Sequence, residues 1–188
     1  MGQRRVRTVV TFLELARRPS FLRSAVPPDP NLHPISIAQP DITQYRMLYD
    51  EIGRSHAWVS RKRLSDRDLT RLLHDPAIHF TRLDHGNTPI GFYELNATRL
   101  PDIEITFLGL IPAAIGRGWG RFLLTHAMDT AYGIGAKRLH LQTCTLDHPT
   151  ALGLYRRAGF RPYKMRSIDL SVPAQDFEAI TQFEKTAS

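Results

Sequence analysis

Three glycines stand at alternate positions, Gly116, Gly118 and Gly120, in the stretch GLIPAAIGRGWGRFLL, between an apolar run and a helical pattern. Glycine lets several main-chain N–H groups turn toward one point and lets a ligand come close to the backbone. Followed at once by a helix, such a turn adds the positive end of the helix dipole, and the pair makes an anion site suited to phosphate. No Gly-Lys-Ser/Thr closes the stretch as in a Walker loop, and the G-x-G-x-x-G spacing of a dinucleotide fingerprint is absent. The same glycines would also let a helix pack tightly on a sheet, so the glycines alone leave both readings open. Upstream, Glu104 lies between Ile103 and Ile105 on a strand pattern, and Glu94 lies on the strand pattern before it. With RLPD as the tip of a hairpin, the two are expected as near cross-strand partners on one face. Adjacent carboxylates push one pKa up, which suits a base working near neutrality, while Glu94 can instead attract a cationic amine or face solvent.

The elements that must position these residues alternate strand and helix signals without repeats. RTVVTFLEL, residues 7–15, is rich in β-branched and aromatic residues and predicts a first strand. The prolines of RRPSFLRSAVPPDPNLHP predict an irregular connecting arm as far as Pro34. DITQYRMLYDEIG predicts a helix capped by Asp41, with Ile42, Tyr45, Leu48 and Tyr49 on one face and Gly53 at its end. SDRDLTRLL predicts a second helix capped by Ser65, with Leu69, Leu72 and Leu73 inward. From Ile78 the period becomes two: IHFTRLD, a turn at Gly86 and Asn87, IGFYELNAT and IEITFLGLI form an expected antiparallel meander. The glycines then open a helix running to about Tyr132 with Phe122, Leu123, Ala127 and Ala131 buried; AKRLHLQTCT is a strand, PTALGLYRRAG a helix ended by Gly159, and FRPYKMRSIDL a last strand. The tail after Ser171 is weakly patterned, with AQDFEAITQF either a terminal helix or frayed. This order predicts an α+β fold, a mixed and mostly antiparallel sheet flanked by helices, in a single domain over residues 1–188.

Composition sets the outer limits. At 188 residues, with 42% apolar and 23% charged residues, the chain is ordinary for a globular domain, and no apolar run approaches the roughly 18 residues that span a bilayer. The basic start carries Glu14 and no continuous apolar core, so it does not read as a leader and the chain is expected to be cytoplasmic. One cysteine, Cys144, excludes an internal disulfide, and His74, His79, His85, His126 and His140 have no ligand spacing, so no metal is expected. The net charge of +7 suits a phosphate-bearing cofactor as well as nucleic acid, but no recognition motif for nucleic acid accompanies it.

Two blocks carry a resemblance. LIPAAIGRGWGRFLL resembles the acetyl-CoA loop of the GNAT N-acetyltransferase superfamily, V-x-P-x-x-[QR]-G-x-G-x-[GA] before a helix, with Leu110, Pro112, Gly116, Gly118 and Gly120 at the matching positions. Ile115 occupies the Gln or Arg slot, and Arg117 is positioned to supply the lost positive charge. HPTALGLYRRAGF, residues 148–160, is similar to the superfamily's N-P-x-A-x-x-x-Y-x-x-x-G-F, with His148 in place of the asparagine and Tyr155 at the tyrosine. The resemblance covers about Leu110 to Phe160 and the meander before it, and it leaves the first residues unmatched.

It implies a domain that binds acetyl-CoA as co-substrate and acetylates a primary amine by direct attack. Glu104, six residues before Leu110, stands where histone acetyltransferases of the superfamily place a general base, and Tyr155 is the implied general acid for the departing thiolate. Cofactor contacts are implied for Leu108, Leu110, Ile115, Gly116, Arg117, Gly118, Trp119, Gly120, His148 and Tyr155, with a main-chain N–H near Leu110 for the oxyanion. Glu94, Trp58 and Tyr49 are candidates for the acceptor pocket. The partner is then an amine acceptor, a small molecule or a protein, with no nucleic acid or membrane, and a homodimer is left open. A non-catalytic acyl-CoA-binding or sensory module is the rival reading, supported by the departures at Ile115 and His148.

Overall fold

The computed structural model describes residues 2–20 and 25–187, with side chains as far as Phe183. The elements in chain order are β1 (Gln3–Leu15), β2 (Leu32–Ile37), α1 (Ile42–Gly53), α2 (Asp66–Leu73), β3 (Ile78–His85), β4 (Thr88–Arg99), β5 (Asp102–Leu110), α3 (Trp119–Ile134), β6 (Arg138–Cys144), α4 (Ala151–Arg157), β7 (Arg161–Pro173) and α5 (Ala174–Ala187). The expected helix caps are in place: the Asp41 carboxylate accepts from Gln44 N–H at 2.9 Å and the Ser65 hydroxyl from Asp68 N–H at 3.2 Å. Each satisfies an amide that a helix start leaves without a partner. The tail is a helix rather than frayed chain, because Ile180 joins Ala57, Val59, Leu146 and Val172 in a second small core.

The seven strands form one sheet in the order β2-β3-β4-β5-β6-β1-β7, antiparallel except for β5 beside β6. One strand was not expected. β2 lies within the proline-rich arm, of which residues 21–24 fall outside the described residues, and it pairs only with β3. An edge strand bonds on one side alone, so it tolerates the missing N–H of Pro34.

Two apolar layers cover the sheet. On one face Ile103, Ile105, Leu139 and Leu141 are buried in one core cluster with Leu123, Ala127 and Ala131 of α3. On the other, Tyr45 and Tyr49 of α1 join Trp58, Phe80, Phe92 and Phe107 in an aromatic cluster with ring centroids 4.9 to 5.9 Å apart. Tilted and edge-on contacts at this spacing are the favoured geometry for aromatic pairs.

The feature that shapes the site is a fault in the middle of the sheet. On the β4 side of β5, Phe107 pairs with Glu94 and Ile105 with Leu95, so Thr106 has no opposite residue. Such a bulge bends and re-aims its strand. On the other side β5 pairs with β6 only from Asp102 to Ile105, although both strands continue. Beyond Ile105 the two strands part, and residues 106–110 stay half-exposed in the centre of a seven-stranded sheet.

Candidate active site

The parting of β5 and β6 opens a groove of about 620 Å³. It is walled on one side by the glycine loop, α3 and α4, and on the other by the segment after α1 with Trp58 and His56. The β5 edge facing it, from Thr106 to Leu110, has no strand partner, so main-chain groups beside Leu108 and Leu110 are turned to the gap. Thr106 Oγ1 is a buried hydroxyl in this lining with no hydrogen-bond partner among the described residues.

The loop is built for an anion. Gly116 and Gly118 take φ of 84° and 78°, left-handed values that a side chain makes costly, and no atom lies within 4 Å of where their Cβ would be. The backbone, and not crowding, demands glycine there. Gly120 differs: its Cβ would sit 3.9 Å from Leu110 and from Leu154, in ordinary contact on the groove wall. The amides of residues 116 to 120 make no hydrogen bond to a backbone carbonyl of the loop, and they end at the N-terminus of α3.

Side chains around the loop divide. Ile115 is 38% exposed at the groove. The Arg117 guanidinium lies over the Trp119 ring at 5.0 Å, and Trp119 in turn stacks on His85 at 5.0 Å, outside the groove lining. The cations that do line the groove are Arg121, in the first turn of α3, and Arg157 at the end of α4.

Tyr155 lines the groove from α4, and burial, with Asp147 nearby, pushes its phenol well above the ordinary range. It therefore keeps its proton. His148 also lines the groove; its Nδ1 lies 2.8 Å from the Thr150 hydroxyl and 3.3 Å from the Thr150 N–H. Burial lowers the His148 pKa, with His56 adding to the effect. Asp147, between them, accepts from the Thr143 hydroxyl at 2.6 Å and from Cys144 N–H at 2.8 Å, and burial raises its pKa. Burial and Asp147 push the Cys144 thiol up to about 11.

The acidic candidates of the strands lie apart. Alternation puts Glu94 and Glu104 on the same face, but they are not direct cross-strand partners: the register set at the hairpin places Asn96 opposite Glu104, and the bulge at Thr106 puts Phe107 opposite Glu94. Glu94 is 0% exposed, accepts from Tyr45 Oη at 2.8 Å and is ion-paired with Arg61, so both its oxygens are engaged in the interior. Glu104 is not in the groove lining; it accepts from Gln142 Nε2 at 3.2 Å, and Gln142 does line the groove. Of the acceptor-pocket candidates, Trp58 lines the groove, whereas Tyr49 is buried one layer behind it with its hydroxyl at 3.4 Å from Ser60 Oγ. Sequence reasoning missed His56, Asp147, Arg121 and Arg157. The two arginines stood inside the recognised blocks, but nothing near His56 in the sequence marked it.

The family model described as "Acetyltransferase (GNAT) family" matches residues 43–160. A mycothiol acetyltransferase of Jonesia denitrificans is 36% identical over 119 residues, 59% of this chain and 37% of that protein. The N-alpha-acetyltransferase RimI of Mycobacterium tuberculosis is 35% identical over 101 residues, 52% of this chain and 61% of that protein. The matches thus span less than two thirds of the length of either relative. Among solved structures, a GCN5-related N-acetyltransferase from Kribbella flavida aligns with a TM-score of 0.57 at 15% identity, over 92% of this chain and 61% of its own. An IAA acetyltransferase from Bacillus cereus aligns with a TM-score of 0.53 at 20% identity, over 75% of this chain and 99% of its own. Likeness at those identities shows a shared fold.

Proposed function

This chain belongs to the acetyltransferase (GNAT) family, and on that premise we propose that it is an acetyl-CoA-dependent N-acetyltransferase that passes an acetyl group directly to a primary amine. The observation that carries the reading is the meeting, in one groove, of the glycine loop's amides and the edge of β5, both without backbone partners there among the described residues, and the protonated Tyr155.

The residues suit the co-substrate. The amides of residues 116 to 120, the positive end of α3 and the guanidiniums of Arg121 and Arg157 favour a pyrophosphate. The missing side chain of Gly120 on the groove wall and the Thr106 hydroxyl, unpartnered among the described residues, leave room and polarity for an arm running along β5 past Leu108 and Leu110. Acetyl-CoA supplies the acetyl group as an activated thioester. A main-chain N–H on the β5 edge stabilises negative charge on the carbonyl oxygen, and Tyr155 gives its proton to the leaving sulfur. Cys144, kept as a thiol at neutral pH, does not compete as a nucleophile, which favours direct transfer over a covalent acetyl-cysteine. The amine enters from the side of Trp58 and His56.

The test is binding followed by turnover. Acetyl-CoA at a hundredfold excess over its Kd adds about 2.7 kcal/mol to the folded state and raises the melting temperature by several degrees. Thiol release is then followed with spermidine, an aminoglycoside and a short peptide with a free α-amine, the last because one relative is named an N-alpha-acetyltransferase. No shift with acetyl-CoA would overturn the reading.

A further inference from the structure

The groove holds two imidazoles, both against Phe183 of α5, with ring centroids at 4.7 Å for His56 and 5.9 Å for His148. Their partners differ. His148 Nδ1 lies 2.8 Å from the Thr150 hydroxyl and 3.3 Å from the Thr150 N–H, a donor-or-acceptor group and a donor, which tie its ring to the start of α4. His56 Nδ1 lies 3.0 Å from the carbonyl oxygen of Leu146, which can only accept, so His56 donates from Nδ1 and its Nε2 holds a lone pair. The edge-on Phe183 ring, at an interplanar angle of 84°, holds the His56 ring in that orientation.

The other proton acceptors near the site are engaged or remote. Glu94 is consumed by Arg61 and Tyr45 in the interior, and Glu104 is held by Gln142 outside the lining. Asp147 is tied by Thr143 and Cys144 and is close enough to His56 for the two to interact electrostatically. A carboxylate so placed favours an imidazolium forming beside it.

We propose that His56 is the general base of the transfer, taking the proton from the acceptor amine at Nε2, with Asp147 as the group that stabilises the imidazolium. The proposal rests on the acetyltransferase reading above. As the bond from the amine nitrogen to the acetyl carbon forms, His56 takes the amine proton. As the carbon–sulfur bond breaks, Tyr155 gives its proton to sulfur. Solvent then carries a proton from His56 back to Tyr155, so the enzyme returns to its starting state and the products are an amide and a free thiol.

The experiment compares wild type, His56→Gln and His56→Ala in acetyl-CoA melting shift and in thiol release with the amine panel. Both variants are expected to keep the acetyl-CoA shift and to lose about a hundredfold or more in kcat. Free imidazole is expected to restore at least about tenfold to His56→Ala while leaving wild type unchanged, a response that lost packing would not give. If wild type turns over and His56→Gln retains its kcat within about threefold, the proposal is wrong and the acetyltransferase reading stands. Loss of rate without imidazole rescue, in variants that still melt as wild type, also overturns it. If wild type releases no thiol with any amine, the functional reading itself fails and takes this proposal with it.

Discussion

Glu94 and Arg61, 33 residues apart in sequence, form an ion pair in the interior, with Tyr45 donating to the second carboxylate oxygen. The pair lies behind the aromatic layer of Tyr49, Trp58 and Phe107, and the Arg61 guanidinium lies over the Phe107 ring at 5.0 Å. Removing one member of a buried pair strands the other charge, a cost of about 3 to 5 kcal/mol. Glu94→Gln is therefore expected to lower the melting temperature by about 10 °C in a domain of this size, with little change in KM for the amine. A raised KM in a variant that melts like wild type would return Glu94 to the acceptor pocket.

Gly120 offers a cleaner test of the co-substrate groove than the left-handed glycines, whose substitution strains the backbone. Alanine at position 120 meets only Leu110 and Leu154 at ordinary contact distance. In a helix, exchanging glycine for alanine favours folding by up to about 1 kcal/mol. Gly120→Ala should thus melt no lower than wild type in the absence of ligand while its acetyl-CoA shift shrinks. Paired melting curves with and without acetyl-CoA decide it; an undiminished shift removes Gly120 from the binding surface.

Tyr155→Phe deletes a hydroxyl held protonated by burial. The expected result is a fall in kcat of about a hundredfold with unchanged acetyl-CoA affinity, the pattern of a lost proton donor. An equal rate in single-turnover thiol release would assign the ring to packing, where it meets Phe160 edge-on at 6.2 Å.

Cys144 gives a pH prediction. A free thiol titrates near 8.5, whereas this one is raised to about 11. At pH 8 its thiolate fraction, and so its alkylation by iodoacetamide, should be on the order of a hundredfold below that of a free cysteine. The same shift has a stability consequence. Between those two values the unfolded state binds fewer protons than the folded state, so the contribution of this group is complete below about pH 8.5 and is lost as pH rises through 11. Cys144→Ala should flatten that part of the unfolding curve and leave turnover within a few-fold. Rapid alkylation at pH 8 by the folded protein would contradict both.

What the sequence determined by itself is the set of features decided within a few residues. The cap of α1 by Asp41, the inward face of Tyr45, Leu48 and Tyr49, the β3–β4 hairpin at Gly86 and the glycine turn into α3 all follow from local hydrogen bonding, side-chain spacing and backbone freedom. Such features are legible because both partners lie in one short stretch. The tertiary structure alone decided the rest. Pro34 became part of a strand because β3 was there to pair with it; the hairpin register put Asn96 rather than Glu94 opposite Glu104, and β5 parted from β6 beyond Ile105 to open the sheet. Arg117 lies over Trp119, which stacks on His85, while Arg121 and Arg157 line the groove. His56 acquired its orientation from the carbonyl of Leu146, 90 residues further along the chain. Each of these rests on groups distant in sequence, and whether a charge is exposed, paired or aimed into a groove depends on what the folded chain packs beside it, a quantity that no local pattern contains.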